Sequence, residues 1–139
     1  MLKVVIDTNV VISALISPHG NPAKIIDLVK SQVLRVCYSS DILNEYSDVL
    51  SRPKFNFGES ERNDFINGVK QSGLLIQPSE SDIPFIDEDD RYFYDVAYTC
   101  GVFLITGNIK HYPPKSFIVT PAEFLTFLPN PLANPIPIC

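Results

Sequence analysis

Apolar residues along this chain form two alternating patterns, short continuous runs and longer stretches with one apolar stripe. The short runs predict five buried strands, at 2–7, 34–38, 74–76, 102–106 and 117–119. The striped stretches predict helices, at 8–16, from 21 onward, after a cap at Ser40, and at 59–72, 91–100 and 121–128. Strands that alternate with helices imply parallel pairing through right-handed crossovers. The pattern therefore predicts an α/β domain, a three-layer α/β/α sandwich around a central, mainly parallel sheet of about five strands.

The length of the chain, 139 residues, accommodates one domain with a core but not two ordinary domains. We assign residues 1–128 to this domain, and residues 129–139, with four prolines in eleven positions, to a frayed tail. No apolar stretch approaches the roughly 18 residues of a membrane helix. The first residues run straight into a strand, so we expect a cytoplasmic protein with no signal peptide and no membrane partner.

Cysteine content and net charge narrow the chemistry. The three cysteines show no C-x-x-C spacing, which indicates reduced thiols acting as small hydrophobic residues rather than a zinc site. The net charge of −5 argues against a broad basic surface for nucleic acid. A nuclease stays open, because a bound metal ion inverts the local charge of an acidic pocket. No P-loop, dinucleotide-binding or G-x-S-x-G motif occurs.

Acidic and amide side chains stand where predicted strands end and helices begin. Asp7 and Asn108 each follow a short apolar run that predicts a strand. Glu45 lies at the edge of the apolar stripe of the third helix, and Asp90 directly precedes another helix. Open α/β sheets place ligands outside the carboxyl ends of their strands, so these oxygens can meet as a site for Mg²⁺ or Mn²⁺. The alternative is that each acid separately caps a helix or faces solvent.

Further polar residues flank these positions. Thr8, Asn9 and Thr106 are placed to orient the acids through hydrogen bonds, or alternatively to cap local structure. Asp95, off the apolar stripe of its helix, is either a solvated acid or a residue that supports the metal ligands. His111 is either a surface residue or a contact for substrate phosphate.

The order and spacing of these segments over residues 2–127 resemble the PIN domain family, metal-dependent ribonucleases that include VapC-like toxins. The match begins with VIDTNV at 5–10, which is similar to the opening strand and first metal-binding acid of the family. It continues through SSDILNEY at 39–46 and LSRPKF at 50–55, similar to the segment that carries the second acid. The run DEDDRYFYDVA at 87–97, followed by LITGN at 104–108, is similar to the C-terminal motif.

The resemblance implies a metal-dependent endoribonuclease, the toxin of a toxin–antitoxin pair. It implies catalytic, metal-binding roles for Asp7, Glu45 and Asp90, with Mg²⁺ or Mn²⁺ as cofactor, and homodimers whose groove is covered by an antitoxin. Asn108 occupies the place of a fourth acid, a departure that leaves a neutral amide oxygen as the ligand; Asp95 is a candidate to compensate. We expect basic residues near the cleft mouth to hold the backbone of an RNA substrate, with the following candidates: Arg52, Lys54, Arg91 and Lys110.

Two other classes of function compete with the nuclease. Because Asn108 lacks a charge, the chain is alternatively a catalytically attenuated PIN-like module that binds RNA or a protein partner. A phospho-acceptor receiver domain also places Asp at a strand end. That class requires an adjacent acid pair after the first strand and an Asp after the third. Thr8 and Asn9 follow Asp7 instead, and the third strand is followed by Gln77.

Overall fold

The structure is a computed structural model, and it describes residues 2–80 and 88–128. The predicted tail at 129–139 lies outside the described residues, as does Asp87. Among the described residues, no helix has the length and apolar character needed to cross a membrane.

Five parallel strands form one sheet, which confirms the predicted α/β class. They pair in the order β3-β2-β1-β4-β5. Their bounds are β1 Leu2–Ile6, β2 Leu34–Tyr38, β3 Leu74–Leu75, β4 Phe103–Ile105 and β5 Ile118–Val119. Four of the predicted runs extend beyond the observed strands by one or two residues, because the chain stays buried after its backbone leaves the ladder.

Six helices form the outer layers of the sandwich. They are α1 Thr8–Ile16, α2 Asn21–Lys30, α3 Ser40–Leu50, α4 Glu59–Ser72, α5 Arg91–Cys100 and α6 Pro121–Phe127, with single 3-10 turns at Pro53–Phe55, Glu88–Asp90 and Ile109–His111. The predicted cap at Ser40 is wrong by one position. Ser39 is the cap, because its hydroxyl accepts a hydrogen bond from the Ile42 N–H at 3.2 Å.

Strand register aligns the carboxyl ends of the central strands. Val4 lies opposite Val36 of β2, and Ile6 lies opposite Ile105 of β4. The residues that follow these strands therefore share one edge of the sheet, which we call the carboxyl edge: they are Asp7, Ser39 and Thr106. Open α/β proteins bind ligands at this edge.

Helix α3 is anchored to this edge by a buried tyrosine. The hydroxyl of Tyr46 donates a hydrogen bond to the backbone oxygen of Ile6, the last residue of β1. The ring of Tyr46 packs edge-on against Phe65 and lies 6.1 Å from the ring of Phe93. These contacts fix the turn of α3 that carries Glu45 near the end of β1.

The two cysteines within the described part of the chain are free thiols. Cys37 is buried in β2, and Cys100 ends α5. Burial, followed by the proximity of Cys100, raises the pKa of the Cys37 thiol to about 12. Cys37 is therefore a protonated, unreactive core residue at neutral pH, in line with the expectation from sequence.

Candidate active site

Asp7 is the best-ordered acid of the carboxyl edge. Its side chain is buried, and its Oδ2 accepts three hydrogen bonds. The donors are Thr106 Oγ1 at 2.8 Å, Tyr112 Oη at 2.9 Å and Asn9 Nδ2 at 3.1 Å. The carboxylate is held in one orientation by groups from three different segments of the chain.

Burial nevertheless dominates the electrostatics of Asp7. Desolvation raises the pKa of the Asp7 carboxyl above its ordinary value, and the hydrogen bonds from Thr106 and Tyr112 lower it only in part. At this buried position, the negative charge of an ionised carboxylate is poorly stabilised. An added cation would lower the free energy of this site more than that of a solvated acid.

A polar network joins the ends of β1 and β4 around the Thr106 hydroxyl. That hydroxyl donates to Asp7 and accepts hydrogen bonds from Asn9 Nδ2 at 3.4 Å and from the Asn108 N–H at 3.0 Å. Asn9 Oδ1 in turn accepts from the N–H of Gly107 at 2.8 Å. A Cβ at Gly107 would lie 3.2 Å from that oxygen, so this approach favours a glycine. Asn9 and Thr106 therefore orient Asp7, as expected for residues that support a metal ligand.

Glu45 faces the same group of negative charges. It is half-buried, and burial raises the pKa of its carboxyl, with further increases from the negative charges of Asp89, Asp48 and Asp7. Arg52 acts in the opposite direction. Glu45 and Asp7, 38 positions apart in the sequence, thus interact across the carboxyl edge.

Asp90 reaches this group from the start of α5. Its Oδ2 lies 3.7 Å from Nδ1 of His111, whose side chain is 58% exposed. Burial raises the pKa of the Tyr112 hydroxyl, and the negative charges of Asp7 and Asp90 raise it further. Tyr112 therefore lies within the electrostatic range of both acids, and it is hydrogen-bonded to Asp7. His111 is an exposed surface residue beside Asp90, and its contact with substrate phosphate stays a prediction.

Not every candidate residue joins this group. Asp95 is 5% exposed, so the interpretation as a solvated acid is wrong. Its carboxylate lies 3.4 Å from the guanidinium of Arg91, and it lines a separate pocket with Ser39. Asn108 is exposed directly after the Thr106 turn.

The acids are not drawn into a tight cluster. Within residues 2–80 and 88–128, no three His, Cys, Asp or Glu side chains lie close enough together to hold a metal ion. Carboxylates repel one another, and closer approach requires a cation among them.

The donor chemistry fits a hard divalent cation. Asp7, Glu45, Asp90 and Asn108 offer carboxylate and amide oxygens, the ligands that Mg²⁺ and Mn²⁺ prefer. Thr8 adds a second observation, because its Oγ1 is buried beside Asp7 with no hydrogen-bond partner in the described parts of the chain. A buried hydroxyl without a partner is uncommon, and a water molecule of a hydrated ion would satisfy it.

Two residues of this edge escaped the sequence analysis. Tyr112 follows the candidate His111, and Asp89 lies inside the run at 87–97, but the sequence singles out neither residue. A tyrosine inside a segment of candidate residues was a usable signal, since a buried tyrosine hydroxyl generally has a hydrogen-bond partner. No pattern in the sequence separates Asp89 from the acids beside it.

The fold and the site define an open parallel α/β domain with buried and half-buried carboxylates at the edge where such domains bind ligands. A family model described as "PIN domain" matches residues 3–110, and the chain belongs to the PIN domain family. Proteins of this family are generally nucleases that use divalent metal. The chain is also 37% identical, over 110 residues, to the uncharacterized protein MJ1680 of Methanocaldococcus jannaschii; the match covers 77% of this chain and 71% of that protein.

Proposed function

We propose that this protein is a metal-dependent endoribonuclease that hydrolyses RNA phosphodiester bonds at the carboxyl edge. The observation that carries the proposal is the buried carboxylate of Asp7, held by three hydrogen bonds and close enough to Glu45 to raise the pKa of that acid. The fixed orientation and raised pKa of Asp7 contribute little to the stability of the protein without metal. Both features are explained if a cation completes the site.

The chain would supply the ligands and their orientation. Asp7, Glu45 and Asp90 are the proposed ligands of Mg²⁺ or Mn²⁺, and Asn108 is a neutral ligand or a residue that positions water. When bound, the metal supplies Lewis acidity and charge neutralisation for attack of water on the phosphodiester. Asn9 and Thr106 keep Asp7 in place, and Tyr112 excludes solvent from its inner side.

Exposed basic residues near the edge are the proposed contacts for the RNA backbone. Arg52 and Lys54 follow α3, and Lys110 follows Asn108; all three are exposed. Arg52 lies close enough to Glu45 to lower the pKa of that acid, which places it beside the site. Phosphate contacts of this kind position a substrate without reading its sequence.

The biological role that we propose is that of the toxin of a toxin–antitoxin pair in the cytoplasm, active as a homodimer. It rests on the resemblance of the motifs to VapC-like toxins. An antitoxin segment that covers the carboxyl edge would keep such an enzyme inactive. Co-purification with a small protein that abolishes cleavage would support this role.

Cleavage assays with metal and chelator test the enzymatic proposal. Wild type and Asp7→Asn are compared on structured and single-stranded RNAs with Mg²⁺, Mn²⁺ or EDTA. The matched control is Asp48→Asn, which removes an exposed carboxylate one turn from Glu45. We expect cleavage that requires metal, survives in the control and falls at least about a hundredfold in Asp7→Asn. Absence of cleavage by folded wild type, across all metals and RNAs, would contradict the proposal.

A second candidate is a catalytically attenuated module that binds RNA or a protein partner. Two observations favour it: a neutral amide stands at Asn108, and no three candidate ligands converge among the described residues. The variant Asn108→Asp adds the missing charge. Under the attenuated-module hypothesis, it raises metal-dependent cleavage at least about tenfold; equal activity of variant and wild type would contradict attenuation.

A further inference from the structure

A second pocket opens on the carboxyl edge, beside the candidate active site. Its volume is about 340 Å³, and it lies between the ends of β2 and β3 and the first turns of α5. Ser39, which follows β2, and Gln77, beyond the end of β3, line one side. Arg91, Tyr92 and Asp95 line the other side. The volume accommodates one planar heterocycle with its bound water.

The pocket adjoins the proposed metal ligands through both the sheet and the helix. β1 and β2 are aligned, so Ser39 leaves the sheet at the same level as Asp7. Arg91 directly follows Asp90 in sequence and begins α5. An RNA strand whose phosphate lies at Asp7 and Asp90 therefore has a neighbouring nucleotide within reach of this pocket.

The charge of the pocket disfavours a phosphate and favours a neutral group. One guanidinium faces three carboxylates along its lining, those of Asp41, Glu80 and Asp95. A phosphate would meet net repulsion, because the three carboxylates of the lining outnumber its one guanidinium. A nucleobase carries no net charge and presents both donors and acceptors along its edge.

We propose that this pocket holds a guanine base of the RNA substrate, one position removed from the scissile phosphate. This inference rests on the proposed ribonuclease function and adds to it a base preference. The pair Arg91–Asp95 is the proposed reader of the base edge, and Tyr92 supplies the aromatic surface on which the base stacks.

Hydrogen-bonding geometry selects guanine over the other bases. Guanine alone presents two neighbouring donors, N1–H and N2–H, which match the two oxygens of one carboxylate. The adjacent O6 of guanine accepts from a guanidinium, and Arg91 stands beside Asp95 for that contact. The Asp95 side chain is 7% exposed and that of Arg91 is 14% exposed, so both groups are preorganised and largely desolvated. Hydrogen bonds in such a place discriminate more strongly than exposed ones.

Binding of nucleosides tests the pocket without any dependence on catalysis. The full chain, without metal, is titrated with guanosine, adenosine, cytidine and uridine, and backbone amide shifts are followed by NMR. Nucleosides lack phosphate, so they do not report on the metal site. We expect guanosine to shift the amides of Arg91 and Tyr92 and to leave that of Gly68, on α4, unchanged. Equal shifts with all four nucleosides, or none at Arg91 and Tyr92, would overturn the proposal.

Mapping of cleavage sites tests the same pocket in the working enzyme. An RNA pool of random sequence is cleaved with Mn²⁺, and we expect guanine to be enriched about tenfold at one fixed position beside the cut. The double variant Arg91→Gln with Asp95→Asn keeps a hydrogen-bonded pair but removes both charges, so no buried charge is left unpaired. We expect this variant to cleave the pool with the enrichment reduced to near parity. Unchanged enrichment of guanine in the double variant would contradict the assignment of Arg91 and Asp95 as the residues that recognise the base.

Two further outcomes separate this inference from the proposed function. If wild type cleaves no RNA, the ribonuclease proposal fails, and the nucleoside titration still decides whether the pocket binds guanine. If the double variant does not fold, Tyr92→Leu replaces it, because Tyr92 is only half-buried. Guanosine shifts at Arg91 should then be lost with the stacking surface, and their persistence would count against the pocket.

Discussion

At the scale of single residues, Asp7 combines strong positioning with unfavourable burial. Its three donors fix the carboxylate, yet its pKa remains raised because desolvation outweighs them. A group whose pKa is raised in the folded state binds protons more tightly there than in the unfolded chain. Stability is therefore lost as pH rises through the raised pKa. Above the raised pKa, the folded apo protein carries this cost in full.

The first prediction follows from the direction of this pH dependence of stability. Asp7→Asn removes the charge but keeps an oxygen for the donors, so its unfolding temperature without metal should exceed that of wild type by a few degrees at a pH above the raised pKa of Asp7. Lowering the pH toward the raised pKa of Asp7 should narrow the difference in unfolding temperature between the variant and wild type. Addition of Mg²⁺ or Mn²⁺ should stabilise wild type and leave the variant unchanged, as mass action requires of a lost site. Thermal unfolding monitored by circular dichroism measures all three effects.

A control separates this effect from a general loss of negative charge. Asp48→Asn removes a carboxylate that is 68% exposed and paired with Arg52. Exposed ion pairs contribute little, so its unfolding temperature should match that of wild type with and without metal. A variant at Asp7 that is less stable than wild type at every pH would contradict the argument from burial.

At the scale of secondary structure, the sequence predicted the type and order of the elements well. α1, α4 and α5 have the predicted bounds because their apolar periodicity extends to residues that end a helix, such as Gly101, which adopts φ +66° after α5. Strand ends were less accurate, because burial of a side chain does not require its backbone to remain in the ladder.

Some residues of the candidate site could also be predicted from the sequence, and others could not. Asp7 and Thr106 were predictable because they directly follow strands whose alignment the fold class dictates, and Asn9 lies in the first helical turn after β1. Tyr112 contacts Asp7 across 105 positions of the sequence, from the end of a 3-10 turn. The local pattern of apolar and polar residues gives no information about a contact between such distant positions. Asp95 was expected off the buried face, but α5 is covered on more than one side, as the burial of neighbouring Tyr94 also shows.

The junction of α4 and β3 gives a prediction at this scale. A Cβ at Gly73 would lie 2.4 Å from the backbone oxygen of Val69 and 2.9 Å from that of Val36. Backbone oxygens of a helix and a central strand cannot withdraw without breaking their own hydrogen bonds. Gly73→Ala should therefore reduce the free energy of unfolding by about 2–3 kcal/mol. Urea denaturation measures the change.

The same helix offers the matched control. Gly68 lies inside α4, and a Cβ there would meet no atom within 4 Å. Gly68→Ala should raise the free energy of unfolding by about 0.5–1 kcal/mol, because alanine loses less backbone entropy in a helix. Similar destabilisation of both variants would show that the crowding at Gly73 is not the cause.

At the scale of the whole molecule, the proposed function makes net charge a determinant of how an RNA substrate would approach the protein. The chain carries a net charge of −5, so the three exposed basic residues beside the edge must act locally against an overall repulsion. These residues are Arg52, Lys54 and Lys110. With about three phosphate contacts, the logarithm of the RNA affinity should fall with the logarithm of salt concentration with a slope near −2.

Fluorescence anisotropy with Asp7→Asn, which cannot cleave under the proposed mechanism, measures that slope. The double variant Lys54→Gln with Lys110→Gln should reduce its magnitude by about 1. A matched variant at the opposite end of the sheet, Lys3→Gln, should leave the slope unchanged. A steep slope that survives the double variant would place the RNA on another surface.

The two outermost strands have a consequence for behaviour in concentrated solution. β3 and β5 border the sheet, and each contributes only two residues to it. A strand from another molecule could pair with only a few backbone groups at these edges, too few to hold it in place. The exposed side chain of Leu75 in β3 does not change this limit. Short borders of this kind resist amyloid-like stacking. We therefore expect loss of native protein through aggregation to proceed from unfolded molecules, so that it slows with every increase in folding stability.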